Sequence, residues 1–450
     1  MPESRRPRML SPLREHLRET FWFAPTAGLV GVFAVWLAAA ALDTAIVDEL
    51  RGRGQYAELG ALSTITEDAR TIVTTVSQAM MTFIGVVFSI SLVAVQMASG
   101  QLTPRVVRLF VRRRINKLTL TVFLATFLFS LLVLTSYESE TDPQRIVSVP
   151  LVQSVVTLLL VALSLLLFIA YVTTMLRLMQ VGPVVDRIVR EALRVVHRRP
   201  AGERHPAGLP PETGRVVHRG RAGVLRDVHV ARLVRAAGRE GVVLRLIPRV
   251  GDYLVPGTPV LAVHGEALPR PGAPAGGPRS GVLRSAVSVG SDRTFHQDLG
   301  LGLRQLVDIA LRALSPAVND PTTAVQCLDR IVQFLAVVAD RPLGVVHHRD
   351  RHGAVRLVED APGWEDLVDL AFTELRGAAV AGPQVTRRML AGIDDLLPLA
   401  PEERREPLLR HRALLAHAVE YTAPEPADRA FALEPDRQGI GRSGRRRTRG

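Results

Sequence analysis

The chain has 450 residues and a net charge of +13, and long apolar runs are concentrated in its first 180 positions. A single cysteine, Cys327, excludes intrachain disulfides, Cys-based zinc sites and iron–sulfur clusters. A single lysine, Lys117, leaves no amine beyond it for a Walker-type phosphate loop, a Schiff base, or biotinyl or lipoyl attachment. The positive charge fits membrane loops and anionic lipid headgroups; no nucleic-acid recognition motif accompanies it.

Residues 1–20 are polar and Arg-bearing, and the first apolar run spans 21–42. Its LAAAAL stretch offers small residues to a signal peptidase, but the long leading segment and full spanning length favour a retained helix. Further runs cover about 72–97, 118–136 and 149–175, each close to the roughly 20 residues that cross a bilayer. The loops between them differ in charge. Loop 98–117 carries Arg105, Arg108, Arg112, Arg113, Arg114 and Lys117 without an acid. Loop 43–70 carries Asp43, Asp48, Glu49, Glu58, Glu67 and Asp68 against three arginines, and loop 137–148 has Glu138, Glu140 and Asp142 against Arg145. The positive-inside bias then places both termini in the cytoplasm.

The expected fold is an all-α membrane region of about four helices (21–180) followed by a cytoplasmic α+β domain. Residues 181–290 read as a helix (183–197), a Pro/Gly linker and a β-rich subdomain with a short helix at 231–239. Residues 291–423 read as a mainly helical subdomain, with Asp320 as N-cap before Pro321, a hairpin in 344–359 turning near Gly353, and helices at 363–380, 383–397 and 402–421. Residues 424–450 read as a disordered basic tail.

The segments MTFIGVVFSISLVAVQMASGQLTPRVVRLF (81–110) and RTFHQDLGLGLRQLVDIALRALSPAVNDPTTAVQCLDRI (293–331) resemble the bacterial family of predicted membrane proteins called domain of unknown function 2254. The resemblance implies an uncharacterised integral membrane protein and brings no reaction, ligand or catalytic residue with it. GDYLVPGTPVLAV (251–263) resembles half of a biotinyl/lipoyl-type barrel sandwich; lacking the modifiable lysine, such a fold would be structural here.

The second apolar run carries the clearest pattern. Gln78, Thr82, Gly85, Ser89, Leu92, Gln96 and Ser99 share one helix face, and all but Leu92 are small or polar. Glutamine facing lipid is costly, so the stripe is either a close-packed helix seam or the lining of a water-filled path in an oligomer. Val87 and Ile90, off the stripe, are expected to tolerate leucine. In the C-terminal domain, Arg293, His296 and Asp298 in RTFHQD, with Asn319 and Asp320 in SPAVNDPTTA, form a candidate ligand site; turn and capping chemistry is the competing account. His347, His348 and His352 are assigned to a solvated hairpin, because neighbouring strand residues face opposite ways, and no metal or cofactor is expected. No H-E-x-x-H, G-x-S-x-G or Gly-rich phosphate loop is present, so an enzyme is the least favoured class. Two expectations remain: a homo-oligomeric channel or transporter-like protein with a cytoplasmic sensing or gating domain, and a membrane-anchored regulatory or scaffold protein without a pathway.

Overall fold

The computed structural model describes residues 23–101, 114–137, 149–178, 180–200, 202, 208–265 and 285–441. The arginines at 105–113, the acids at 138–142, the Pro/Gly loop 268–281 and the residues after 441 lie outside the described residues, as does the side chain of Ser99. The chain divides into two units, Leu10–Gln180 and Val181–Gly450.

In the N-terminal unit the apolar runs become α1 (Phe23–Gly52), α2 (Tyr56–Gln101), α3 (Arg114–Thr135) and α4 (Leu151–Leu178). Each contains a stretch long and apolar enough to cross a membrane: Phe23–Gly52, Asp68–Gln96, Ile115–Thr135 and Leu151–Arg177. The acidic stretch 43–70 is mostly helix rather than loop. α1 and α2 are separated only by residues 53–55, where Gly54 takes the left-handed conformation (φ 71°) that a side chain would strain. α3 packs against all three other helices and buries Phe123, Phe129 and Val133 completely. The rings of Phe83, Phe123 and Phe168 cluster with centroids 5.5–6.4 Å apart, tying α2, α3 and α4 together.

Some polar side chains inside this unit bond across the bundle. Thr126 Oγ1 lies 3.0 Å from Ser164 Oγ, and the Tyr171 hydroxyl donates to the Val87 carbonyl at 3.0 Å. Asp43, which the sequence places among loop acids, is buried in α1. Its carboxylate accepts the backbone N–H groups of Val152 (2.7 Å) and Gln153 (3.2 Å), two of the donors that a starting helix leaves unpaired.

In the C-terminal unit, α5 (Val181–Arg198) is strongly amphipathic, with Val185, Ile188, Ala192 and Val196 buried. A β-rich segment follows: β1 (Glu212–Val217), β2 (Gly223–Val228), α6 (Val230–Glu240), β3 (Val243–Leu246), β4 (Tyr253–Leu254), β5 (Pro259–His264) and β6 (Val287–Gly290). Then come α7 (Leu301–Ala313), α8 (Pro321–Val338), the hairpin β7 (Val346–Arg349) and β8 (Val355–Glu359), α9 (Trp364–Ala379), α10 (Pro383–Leu396), α11 (Arg405–Thr422) and α12 (Pro426–Leu433). One sheet has the order β1-β5-β3-β8-β7 and the other β4-β2-β6, all neighbours antiparallel except β3 with β8. Leu225, Leu233, Leu244 and Leu261 sit in the core of this β-rich part. α7 and α8 pack on each other, and α5 packs on both; a Cβ at Gly302 of α7 would collide with Ala192 of α5.

Two expectations need correction. The division into subdomains 181–290 and 291–423 does not hold, because β8 pairs in parallel with β3 and α5 joins the helical layer of α7 and α8. Long-range pairing of this kind leaves no local periodicity to read. The segment from 424 is not a disordered tail up to Gly441, since it contains α12. Arg387, 0% exposed, donates from Nε to the Glu434 carbonyl at 2.8 Å and stacks 4.1 Å over the Phe431 ring; Gln384 Nε2 donates to the Gly439 carbonyl at 2.7 Å, so side chains of α10 anchor the segment.

Candidate functional site

Gln78, Thr82, Gly85, Ser89, Leu92 and Gln96 of α2 are all exposed within the chain. The opposite face, with Val73, Ser77, Met80, Val87 and Ala94, is the one buried against the bundle. A Cβ built on Gly85 meets nothing within 4 Å. The periodicity thus marks a real face, but among the described residues no dry seam within one chain covers it. The exposed side chains flanking the stripe, Met81, Phe88 and Val93, are apolar. Val87 is not the neutral control that the sequence indicates, because it is buried and its carbonyl accepts from Tyr171; Ile90 is half-buried.

The five candidate ligand residues of the C-terminal unit separate into two groups at opposite ends of α7. With a rise of about 1.5 Å per residue, that helix holds the groups roughly 20 Å apart. Arg293, His296 and Asp298 precede it. Asp298 is buried; its Oδ1 accepts from the N–H groups of Gly300 (3.1 Å) and Leu301 (3.0 Å), and Oδ2 accepts from Arg293 Nε at 2.7 Å. Burial pushes the Asp298 carboxyl above the ordinary range, against the opposing pull of Arg293 and the two amides. His296 Nε2 stands 3.8 Å from Asp227 Oδ1, too far for a hydrogen bond. Between them in sequence, Gln297 clamps β2: its Oε1 accepts from Val228 N–H at 2.9 Å and its Nε2 donates to the Val228 carbonyl at 3.0 Å. The segment fastens the β-rich part to the start of α7.

Asn319 and Asp320 lie beyond the other end of α7. Asn319 takes φ 48°, a left-handed conformation that asparagine adopts more readily than most residues. Asp320 caps α8, its Oδ1 accepting from Thr323 N–H at 3.0 Å and its Oδ2 from the Thr323 hydroxyl at 2.5 Å. The Asp320 carboxylate is used in the cap and the Ser315 hydroxyl in the preceding turn. Among the described residues no group of three or more His, Cys, Asp or Glu side chains could hold a metal ion.

The sequence did not single out a buried polar cluster on β8. Glu359 accepts from Arg199 NH2 at 2.7 Å, just past the end of α5, and lies 3.0 Å from His348 Nε2. Burial alone would raise Glu359, but His348 and Arg199 outweigh it and hold its carboxyl below the ordinary range. His347 and His348 are neighbours in sequence, yet only the second reaches this carboxylate; a charged residue ending a strand of otherwise apolar inward positions was the available signal. A second feature, a groove of about 740 Å³ between the two sheets, likewise has no sequence signature.

Comparison with known proteins matches the chain to relatives in mycobacteria. Uncharacterized proteins of Mycobacterium bovis and of two Mycobacterium tuberculosis strains are each 28% identical to it over 429 residues, covering 93% of this chain and 80% of the relative. No solved structure matches it significantly. The family model for predicted membrane proteins of domain of unknown function 2254 matches residues 18–395, ending before α11, and the chain belongs to that family.

Proposed function

We propose that the chain assembles in the bacterial inner membrane as a homo-oligomer in which α2 of each copy turns its stripe toward a shared axis and lines a narrow polar path. Val181–Gly450 then serves as a cytoplasmic sensing or gating unit. The observation that carries this reading is the exposure of Gln78, Thr82, Gly85, Ser89 and Gln96 on a helix whose other face is satisfied by its own bundle. An amide left facing hydrocarbon is costly, so a second copy or water is the favoured cover. The stripe carries no ionisable side chain from Gln78 to Gln96, which suits passage of a small neutral solute or a dipole-coordinated ion better than a proton relay. The charge bias of the loops supports cytoplasmic termini; reporters fused after residues 60 and 200 should read outside and inside respectively.

Single cysteines at positions 82, 85 and 89 of the full chain test the path, in a Cys327→Ser background. Cys327 is itself fully buried, and burial pushes its thiol far above the ordinary range. Water-soluble thiol reagents should label all three positions in membranes, while Met81→Cys and Phe88→Cys stay protected. Protection of 82, 85 and 89 in intact oligomers would leave a dry interface between copies, and with it the scaffold reading without a pathway.

A further inference from the structure

Among the described residues β1 pairs only with β5 and β6 only with β2, and the groove of about 740 Å³ opens between these two edges. Its size falls in the range of small-molecule sites, roughly 300–1,000 Å³. The floor comes from both sheets: Val216, Val260 and Leu261 on one side, Val287 and Val289 on the other. The mouth is different in character. It is formed by the loop between β1 and β2, which contributes His218, Arg219 and Arg221, and by Ser291 across from it.

That loop is fixed rather than free. The His218 N–H donates to the Thr258 carbonyl and the His218 carbonyl accepts from Gly257 N–H, both at 2.8 Å, and His218 Nε2 lies 2.8 Å from the Arg221 carbonyl. Arg219 and Arg221 are exposed, and neither forms an ion pair with a carboxylate among the described residues. Among the described residues no Asp or Glu lines the groove. Arg215, a few residues earlier on β1, is by contrast paired with Glu212.

We propose that this groove binds a single-chain anionic amphiphile, such as a fatty carboxylate, with its chain on the valine floor and its head between Arg219 and Arg221. A small inorganic anion would leave the apolar floor wet, and an uncharged chain would leave the two arginines unmatched. Only a ligand with both parts uses both surfaces, each buried methylene adding to the affinity and the guanidiniums holding the head. The site stands whether or not α2 lines a pathway. If it does, the ligand is a natural input to the sensing unit.

The test uses the full chain in nanodiscs of zwitterionic phosphatidylcholine. The probe is a dodecanoate carrying a mid-chain diazirine, with its methyl ester as the uncharged comparison. After irradiation, peptide mapping should place carboxylate adducts on residues 216–222 and 285–291, with the ester labelling them several-fold less. Val289→Trp, which fills the floor, should bring those adducts to background. The double variant Arg219→Glu, Arg221→Glu, at two exposed positions, should reduce them several-fold without disturbing the fold. Adducts confined to α1–α4, equal labelling by acid and ester, or labelling of the groove unchanged in the double variant would overturn the proposal.

Discussion

In the four N-terminal helices large apolar side chains face outward and many inward positions are polar. Leu159, Leu166 and Ile169 of α4 are more than 60% exposed, whereas Thr126, Ser130, Thr157 and Ser164 are buried. In the C-terminal unit the arrangement is reversed: Leu306, Ile331, Phe334 and Phe372 are buried, and arginine–carboxylate pairs such as Arg304 with Glu374 lie at the surface. One chain therefore carries two burial rules, one suited to hydrocarbon and one to water. The difference gives the α2 stripe its meaning. A polar exposed face is ordinary in the C-terminal unit and anomalous in the N-terminal one, where the described residues of the chain leave it uncovered.

Core truncation in each unit is the strongest way to break this comparison. Phe334→Ala should cost roughly 3–5 kcal/mol, because a fully buried ring is lost against a water-exposed unfolded reference. Phe129→Ala, equally buried, should cost distinctly less, since lipid replaces water as the alternative environment and only packing is lost. Thermal unfolding of the full chain in nanodiscs, read unit by unit through hydrogen exchange, measures both. Equal losses would mean that the N-terminal helices are not stabilised as membrane helices are.

A smaller effect sharpens the account of the motif between α7 and α8. Asp320→Ala should destabilise the C-terminal unit by about 1 kcal/mol, the ordinary value of a lost N-cap, with Asp320→Asn close to wild type. A binding role would instead show as unchanged exchange protection at the start of α8 in the alanine variant.

The smallest expected effect is a dependence on pH. His411 of α11 is buried; Arg376 NH1 lies 2.9 Å from its Nδ1 and Asp369 lies 2.8 Å from its Nε2. Because the guanidinium can only donate, Nδ1 accepts and the neutral ring carries its proton on Nε2. Burial pushes the imidazole below its ordinary value of 6.5, with Arg376 acting the same way and Asp369 opposing. A depressed folded-state value means that the unfolded chain binds the proton more readily. The stabilising contribution is complete above 6.5 and lost as the pH falls below it. The thermal midpoint should drop from pH 7.5 toward 5.5, and His411→Gln should flatten that slope; an unchanged slope would reject the assigned proton arrangement.

Much of the architecture is legible in the sequence because it rests on local signals. The four apolar runs, the amphipathic repeat of α5, the Asp320–Pro321 start of α8 and the reversal at Gly353 each need only a few neighbouring residues. So does the helical face running from Gln78 to Gln96. The spacing of seven identifies residues that share a side, whatever that side meets.

What that side meets was decided by tertiary structure, because which face of α2 turns inward depends on Phe123, Phe168 and Tyr171 of other helices. The same holds for Asp43, which reads as a loop acid until α4 brings its unpaired amides alongside. It holds for the parallel pairing of β3 with β8, which merges two apparent subdomains, and for Arg387, which orders a segment whose composition reads as disordered. The five residues proposed as one ligand site fall into two groups because a rigid helix of fixed rise separates them. Sequence determined the elements and their faces, since these follow from backbone geometry and local hydrogen bonding. Tertiary structure alone determined partners and cavities, since those depend on contacts between residues far apart in the chain.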